Sequence, residues 1–284
     1  MHRRDSIIAA ALFLAPAVCA VVVLRLWPAS SSLVSSFFEP GTPGPTLGNY
    51  RYLFGDPVFR DTIKTTLLFV AIVNPLQVSV ALALALLMNA AVPLIGLWRT
   101  LVFLPIAIPP SVSAVVWGVG YRPDGLINAV LEAVGIGAQR FLTSPDQALP
   151  SLIIIVSWVG VGYWMTFLLA GLQDIPRTLY EAANIDGATL WQRFRYVTLP
   201  QLRRPLTFVL VANTVSNFLV FAPVQILTHG GPAGSTNLIM HEIYSRAFTS
   251  GDVSSAHAAT VILVAMLLLV VAVQYRLMSR ESSE

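Results

Sequence analysis

Residues 149–171 read LPSLIIIVSWVGVGYWMTFLLAG, twenty-three residues without one Asp, Glu, Lys or Arg. About 20 apolar residues in a helix cross the hydrocarbon core of a bilayer. The run is too long and too continuously aliphatic for a strand of an outer-membrane barrel, whose segments alternate over about ten residues. Five further stretches share its character, and none carries a formal charge: about 6–24 (with Leu26 and Trp27 following just past Arg25), 65–88, 100–120, 207–228 and 256–275. The chain as a whole agrees, with 56% hydrophobic and only 11% charged residues and a mean hydropathy of +0.73. Soluble domains carry about 25% charged residues. The expected fold is all-α: a polytopic membrane bundle of six transmembrane helices, one transmembrane domain over residues 1–284, with spans at about 6–27, 65–88, 100–120, 149–171, 207–228 and 256–275 and a long polar connection at 172–206.

The first run follows the basic triplet His2-Arg3-Arg4, so a signal peptide is the competing assignment. Its length, beyond an h-region of about 7–15 residues, favours an uncleaved anchor. Cys19 is the only cysteine and lies in no lipobox, and it leaves no intrachain disulfide or cysteine-based metal site. Orientation follows the arginine and lysine count. With the N-terminus inside, ten basic residues fall on the cytoplasmic side (Arg3, Arg4, Arg99, Arg177, Arg193, Arg195, Arg203, Arg204, Arg276 and Arg280) against seven outside. Both termini are therefore expected in the cytoplasm.

Several kinds of chemistry are absent. A net charge of +3, spread along the chain, does not make the basic face that nucleic acid requires. There is no phosphate-binding G-x-x-x-x-G-K-[ST] loop, no H-E-x-x-H and no G-x-S-x-G elbow. Pumps that power themselves keep ionisable groups within the membrane. Here the spans hold only His257, near the outer end of the sixth, where an interfacial role is the simpler reading. Neither an enzyme nor a self-powered transporter is expected, and no residues suggest a metal site.

The 172–206 connection, long for a compact bundle, carries the chemistry. Thr178-x-x-Glu181 and Thr189-x-x-Gln192 each have the spacing of a capping box that starts a short helix. Gly187 between them suits the left-handed position after a helix end. Leu190, Phe194 and Val197 form one apolar stripe, and Pro200 is expected to stop the segment. Ala182 and Ala183 leave a flat patch that another protein's surface could approach. Residues alone leave open whether this hairpin docks a partner or rests on the membrane with Glu181 serving as a cap.

Glu181-Ala182-Ala183-x-x-Asp186-Gly187-Ala188, followed by Leu199-Pro200, resembles the E-A-A loop of binding-protein-dependent ABC importer permeases. Gly171-Leu172-Gln173-x-Ile175-Pro176 and Leu179-Tyr180 resemble the carbohydrate branch of that family. The likeness extends to Leu47-Gly48-Asn49-Tyr50, Arg99-Thr100-Leu101 with Leu104-Pro105 and Pro109, and Asp124-Gly125-Leu126-Ile127-Asn128. Leu227-Thr228-His229-Gly230-Gly231-Pro232 with Thr236 is similar to the L-T-x-G-G-P-x-x-x-T signature of one of the two permeases of sugar importers. The resemblance implies a bacterial cytoplasmic (inner) membrane location. It also implies a second, related permease, two cytoplasmic ATPase subunits that hold the ATP and Mg, an extracytoplasmic solute-binding protein and no cofactor in this chain. It implies that the loop is a coupling helix in an ATPase cleft, where Glu181 pairs with an arginine and Gly187 forms the elbow. Ala222 departs from the aspartate that relatives commonly carry after the counterpart of Phe221. A polytopic scaffold or a facilitator without an ATPase is the alternative.

For the solute path, Asn213, Ser216 and Asn217 lie at i, i+3 and i+4, hence on one face of the fifth span. They could contact a hydroxyl-rich solute or tie helices together. Trp158, Tyr163 and Trp164 could stack on a sugar ring or pack the core. Asn74-Pro75 is expected to open a local break in the second span.

Overall fold

The structure, a computed structural model, describes residues 2–90 and 93–280. The ends of the expected 1–284 domain lie outside the described residues, as do the side chains of Arg3, Arg4 and Arg280 that enter the charge count. Along the chain, α1 (His2–Val21) passes through a π turn (Val22–Leu26) into α2 (Trp27–Ser35). Then come α3 (Gly48–Gly55), α4 (Pro57–Asn89), α5 (Ile95–Phe103), α6 (Pro110–Gly120), α7 (Leu126–Ala133) and α8 (Pro145–Gln173). The 172–206 connection forms α9 (Arg177–Ile185), α10 (Leu190–Arg193), a π turn (Phe194–Thr198) and α11 (Leu199–Gln201). The remainder is α12 (Arg203–Phe218), α13 (Ala222–Leu227), α14 (Ile239–Tyr244) and α15 (Val253–Arg280). No strand occurs among the described residues, as the sequence implies.

Five segments are long and apolar enough to cross a membrane: Leu12–Ser35, Pro57–Asn89, Pro145–Gln173, Arg203–Leu227 and Val253–Met278. The third expected span differs. It is two pieces, Ile95–Ala107 and Pro110–Gly120, bent by 101°. Pro105, Pro109 and Pro110 remove three backbone donors within six residues, so an unbroken hydrogen-bond ladder cannot run through. The first span also runs past Trp27, to Ser35. Pro28 lacks the donor for the carbonyl one turn back, and a shift to π register, Trp27 N–H to Val22 O, absorbs the mismatch. Pro75 opens no break, because α4 continues through it. The fifth span does break, at 219–221 between α12 and α13.

The described chain divides into two compact units, one of residues 1–60 and 243–265 and one of 61–242 and 266–284. In the first, Asn49 donates to the carbonyls of Ser36 and Phe38, both at 3.0 Å, and closes the turn between α2 and α3. His257 pairs with Ser32 Oγ at 2.9 Å, so its role is helix-to-helix attachment. Asp56 accepts from the Val58 amide at 2.9 Å, as a cap ahead of Pro57, and forms an ion pair with Arg246. The Arg246 guanidinium also lies over the rings of Tyr52 and Phe59, at 5.7 and 5.6 Å. Burial by itself would raise the Asp56 pKa, but the Arg246 hydrogen bond and charge and the backbone donors outweigh it and hold the carboxyl below its ordinary 3.8.

In the second unit the core joins three helices: Ala81, Ala85 and Met88 of α4, Trp164, Met165, Leu168 and Leu169 of α8, and Leu202 and Val209 at α12. Small residues matter here because lipid tails compete with apolar side chains, leaving close packing as the main attraction. A β-carbon on Gly162 would lie 2.4 Å from the Val102 carbonyl oxygen, so α8 meets the bent third span only because that side chain is missing.

Two predictions follow from this packing. Gly162→Val should cost about 1–3 kcal/mol, read as a lower unfolding midpoint in detergent, whereas Gly96→Ala, which meets open space, should not. A depressed carboxyl pKa contributes stability that is present above its unfolded-state value and lost as pH falls through the folded one. The difference in thermal midpoint between wild type and Asp56→Asn should therefore be largest at neutral pH and shrink as pH drops below 3.8.

Candidate functional site

The 172–206 connection begins where Leu172 and Ile175 enter the core. Helix α9 starts two residues earlier than the sequence suggests. Pro176, extended at ψ 130°, is its N-cap, with no side-chain cap hydrogen bond. Thr178 is already inside the first turn, so the expected Thr178–Glu181 capping box does not form. Glu181 is left exposed, with no ion pair among the described residues. The second box forms as expected: Gln192 N–H donates to Thr189 Oγ1 at 3.3 Å and Thr189 N–H to Gln192 Oε1 at 2.7 Å.

Between them the elbow is closed twice. Gly187 N–H reaches Asn184 O at 3.1 Å and Ala188 N–H reaches Ala183 O at 2.9 Å. This is the paired closure that requires a left-handed residue after the helix end, and Gly187 has φ +72°. Arg193 donates to Asn184 Oδ1 at 2.5 Å, and Tyr180 and Thr198 hydroxyls meet at 3.0 Å, bracing α9 against the second piece. Ala182 and Asp186 are exposed and Ala183 half-buried. The expected apolar stripe splits, because the π turn from Phe194 changes the angular spacing. Phe194 and Val197 are half-buried, whereas Leu190 is 78% exposed and Trp191 69%. Ile185, at 87% exposed, stands beside them. Pro200 sits inside α11 without stopping the segment, which ends at Leu202.

Within the second unit a cavity of about 450 Å³ lies against the break between α12 and α13, in the range of about 300–1,000 Å³ usual for small-ligand sites. Asn213, Ser216 and Asn217 all line it, as their spacing predicts, together with Gln77, Ser113, Tyr163 and Trp164. Asn217 is the junction. Its amide nitrogen lies 2.7 Å from Asn74 Oδ1, 2.9 Å from Asn213 Oδ1 and 3.0 Å from Gln77 Oε1. Asn74 donates in turn to Thr214 Oγ1 at 2.8 Å, as does Gln274. The helix-tying role thus belongs to Asn217. Asn213 is different: fully buried, it leaves its Nδ2 without a protein partner, and buried Ser113 leaves its Oγ likewise. Both residues line the cavity, with these two atoms buried in its wall. Trp164 is buried against Tyr163 at 4.8 Å, while Trp158 pairs with Trp117 at 5.7 Å and does not line the cavity.

The sequence reading missed Gln77 and Ser113. Amides at 74 and 77, one turn apart in an otherwise apolar span, were the available signal.

The segment with Gly230, Gly231 and Pro232 is a tight turn. Gly230 has φ +82° and Gly231–Pro232 is cis. Thr236 Oγ1, fully buried, reaches Thr228 Oγ1 at 2.7 Å and Gly231 O at 2.6 Å. Asn237 donates to Thr62 Oγ1 at 2.8 Å and Ile239 N–H to Thr66 Oγ1 at 2.9 Å, lashing the turn to α4. Burial holds His241 below its ordinary pKa; Glu242 opposes this and His229 adds to it.

The chain superimposes with a TM-score of 0.87 on a bacterial ABC transporter involved in import of the acidic polysaccharide alginate, covering 98% of this chain and 96% of that one at 24% identity, a likeness of fold. Residues 65–283 match the model of the binding-protein-dependent transport system inner membrane component, and the chain belongs to that family. It is thus a permease component of an ABC importer in the inner membrane, and the scaffold and facilitator readings fall away. It is 35% identical to the lactose transport system permease protein LacF of Rhizobium radiobacter, over 92% of this chain and 90% of that one. It is 33% identical to the sn-glycerol-3-phosphate transport system permease protein UgpA of Pectobacterium atrosepticum, over 94% and 92% respectively.

Removing the junction amide should loosen the bundle. Asn217→Ala should lower stability by about 0.6–2 kcal/mol, measured as a drop in thermal midpoint, with exposed Ser216→Ala near wild type.

Proposed function

We propose that this permease carries a neutral, hydroxyl-rich solute, a sugar or related polyol, through the cavity lined by Asn213, Ser216 and Asn217. The observation that carries this is the cavity lining: a largely apolar wall set with the amides of Gln77, Asn213 and Asn217 and the hydroxyls of Ser113, Ser216 and Tyr163, with no Asp, Glu, Lys, Arg or His. Such groups exchange hydrogen bonds with a sugar's hydroxyls without the cost of burying a charge. A phosphate would have to shed water into a site that offers it no cation. Ala222 in the lining keeps that neutrality. The names of the two relatives, one for lactose and one for glycerol 3-phosphate, bracket the solute class, and the uncharged lining favours the first kind.

The chain acts as one non-catalytic transmembrane domain with both termini cytoplasmic. A second, homologous permease completes the path, two ATPase subunits bind and hydrolyse ATP with Mg, and an extracytoplasmic binding protein delivers the solute to the outer face around Gly230, Gly231 and Pro232. The E-A-A loop, with Glu181, Ala182, Ala183, Asp186 and Gly187, docks in an ATPase cleft. Glu181 is free to pair with an arginine there, because it caps no helix of its own. Exposed Ile185, Leu190 and Trp191 supply the apolar rim of the contact.

Affinity purification of the tagged chain from its native membrane should recover one related permease and two ATPase copies; recovery of the chain alone would overturn the assembly. Glu181→Lys should reduce solute-stimulated transport by about ten-fold or more through loss of a paired charge, with the thermal midpoint unchanged. Gly187→Pro, which cannot adopt φ +72°, should also uncouple ATP hydrolysis from transport. Normal transport by both would remove the coupling assignment.

A further inference from the structure

At the coupling-loop end of the second unit, a cleft of about 1010 Å³ opens where α8 ends, α12 begins and α15 nears its end. It is distinct from the solute cavity, sharing none of its lining residues. Its composition is layered. Arg203 and Arg204 stand at the start of α12, and Phe208 and Val211 line the cleft deeper along the same helix. Arg204, Phe208 and Val211 are spaced i, i+4 and i+7 and so form a single stripe, charged at the end and apolar within. Tyr275 of α15 faces the same space, with an aromatic ring and a hydroxyl suited to the membrane interface.

The two arginines are held differently. Arg203 donates to the Met278 carbonyl at 2.5 Å and so forms part of the wall. Arg204 is exposed and makes no hydrogen bond among the described residues. Asp174 lines the cleft as well, leaving one net positive charge among the three. A soluble anion would use the guanidinium groups but have no use for the apolar stripe beneath them. An uncharged lipid would use the stripe and gain nothing from Arg204. An amphiphile with one negative charge uses both, and basic pockets between transmembrane helices on the cytoplasmic side are sites of this kind.

We propose that this cleft binds an anionic phospholipid from the leaflet facing the ATPases, its phosphate between Arg204 and Arg203 and an acyl chain along Phe208 and Val211. Asp174 and Ile175 precede α9, and Pro200 follows the π turn, so the lipid touches both roots of the E-A-A loop. Given the coupling role proposed for that loop, the lipid would set how firmly the loop is seated.

The test is native mass spectrometry of the assembled transporter exchanged into phosphatidylglycerol or phosphatidylcholine of matched chains. Phosphatidylglycerol should be retained preferentially. Arg204→Ala should weaken its retention about five-fold, the equivalent of one interfacial arginine, while Asp174→Asn strengthens it. Inorganic phosphate and glycerol phosphate should fail to displace it, and Phe208→Ser should weaken it without altering the assembly. Equal retention of the two lipids, or indifference to both charge variants, would overturn the proposal. Displacement by inorganic phosphate would reassign the cleft to a soluble anion. Retention by the lone chain but not by the complex would make it a subunit interface instead. Coupling efficiency in the same two lipids separates the site from its consequence: a bound lipid without effect on coupling leaves the site and removes the proposed link to the loop.

Discussion

Inside a bilayer no water is available to satisfy a polar group, so each amide or hydroxyl within a span must find its partner in the protein. Asn217 shows how much follows from this. Its nitrogen has two hydrogens and three acceptors within 3.0 Å, from Asn74, Gln77 and Asn213. Serving them fixes the register of α4 against α12, and the Thr214 hydroxyl extends the tie to Gln274 on α15. Once these helices are in register, Ala81 and Ala85 face the α8 core closely. The same demand, incompletely met, makes the cavity: the network serves Asn217 but leaves Asn213 Nδ2 and Ser113 Oγ unsatisfied at its wall. Helix register and cavity wall thus draw on one set of polar groups.

Features that depend on a few neighbouring residues were legible in the sequence. The Thr189–Gln192 box and the left-handed Gly187 stand as read, because both are decided within five residues. So was the shared face of Asn213, Ser216 and Asn217, a matter of helical spacing. Features decided by context were not. Pro75 lies in an unbroken helix, whereas Pro105, Pro109 and Pro110 act together to bend the third span by 101°. A single missing donor can be absorbed by neighbouring helices, and three in succession cannot. Thr178 was misread for a similar reason: Pro176, two residues upstream, supplies the extended backbone that starts the helix. Gln77 was marked only by the amide of Asn74 one turn away, and nothing local marks Ser113 as cavity-facing.

The comparisons with known proteins add what local chemistry cannot. The elbow exposes Glu181 and Trp191, and family membership identifies the class of machine the chain belongs to. The cavity lining has no formal charge, while acidic and basic residues gather at the 172–206 connection and its roots. Under the roles proposed above, solute recognition and the response to ATP are kept apart electrostatically.

The corner at Gly187 has a mechanical meaning. Two backbone closures end α9, and two residues later a reciprocal cap begins α10, with Arg193 and Tyr180 strutting across the angle. Such a corner has almost no slack. In the coupling role proposed above, a push on α9 would turn the whole bracket as a stiff lever, with its fulcrum where Leu172, Ile175 and Leu202 enter the core. The stroke would then be set by lever length rather than by loop elasticity, and a longer or looser elbow would blunt it.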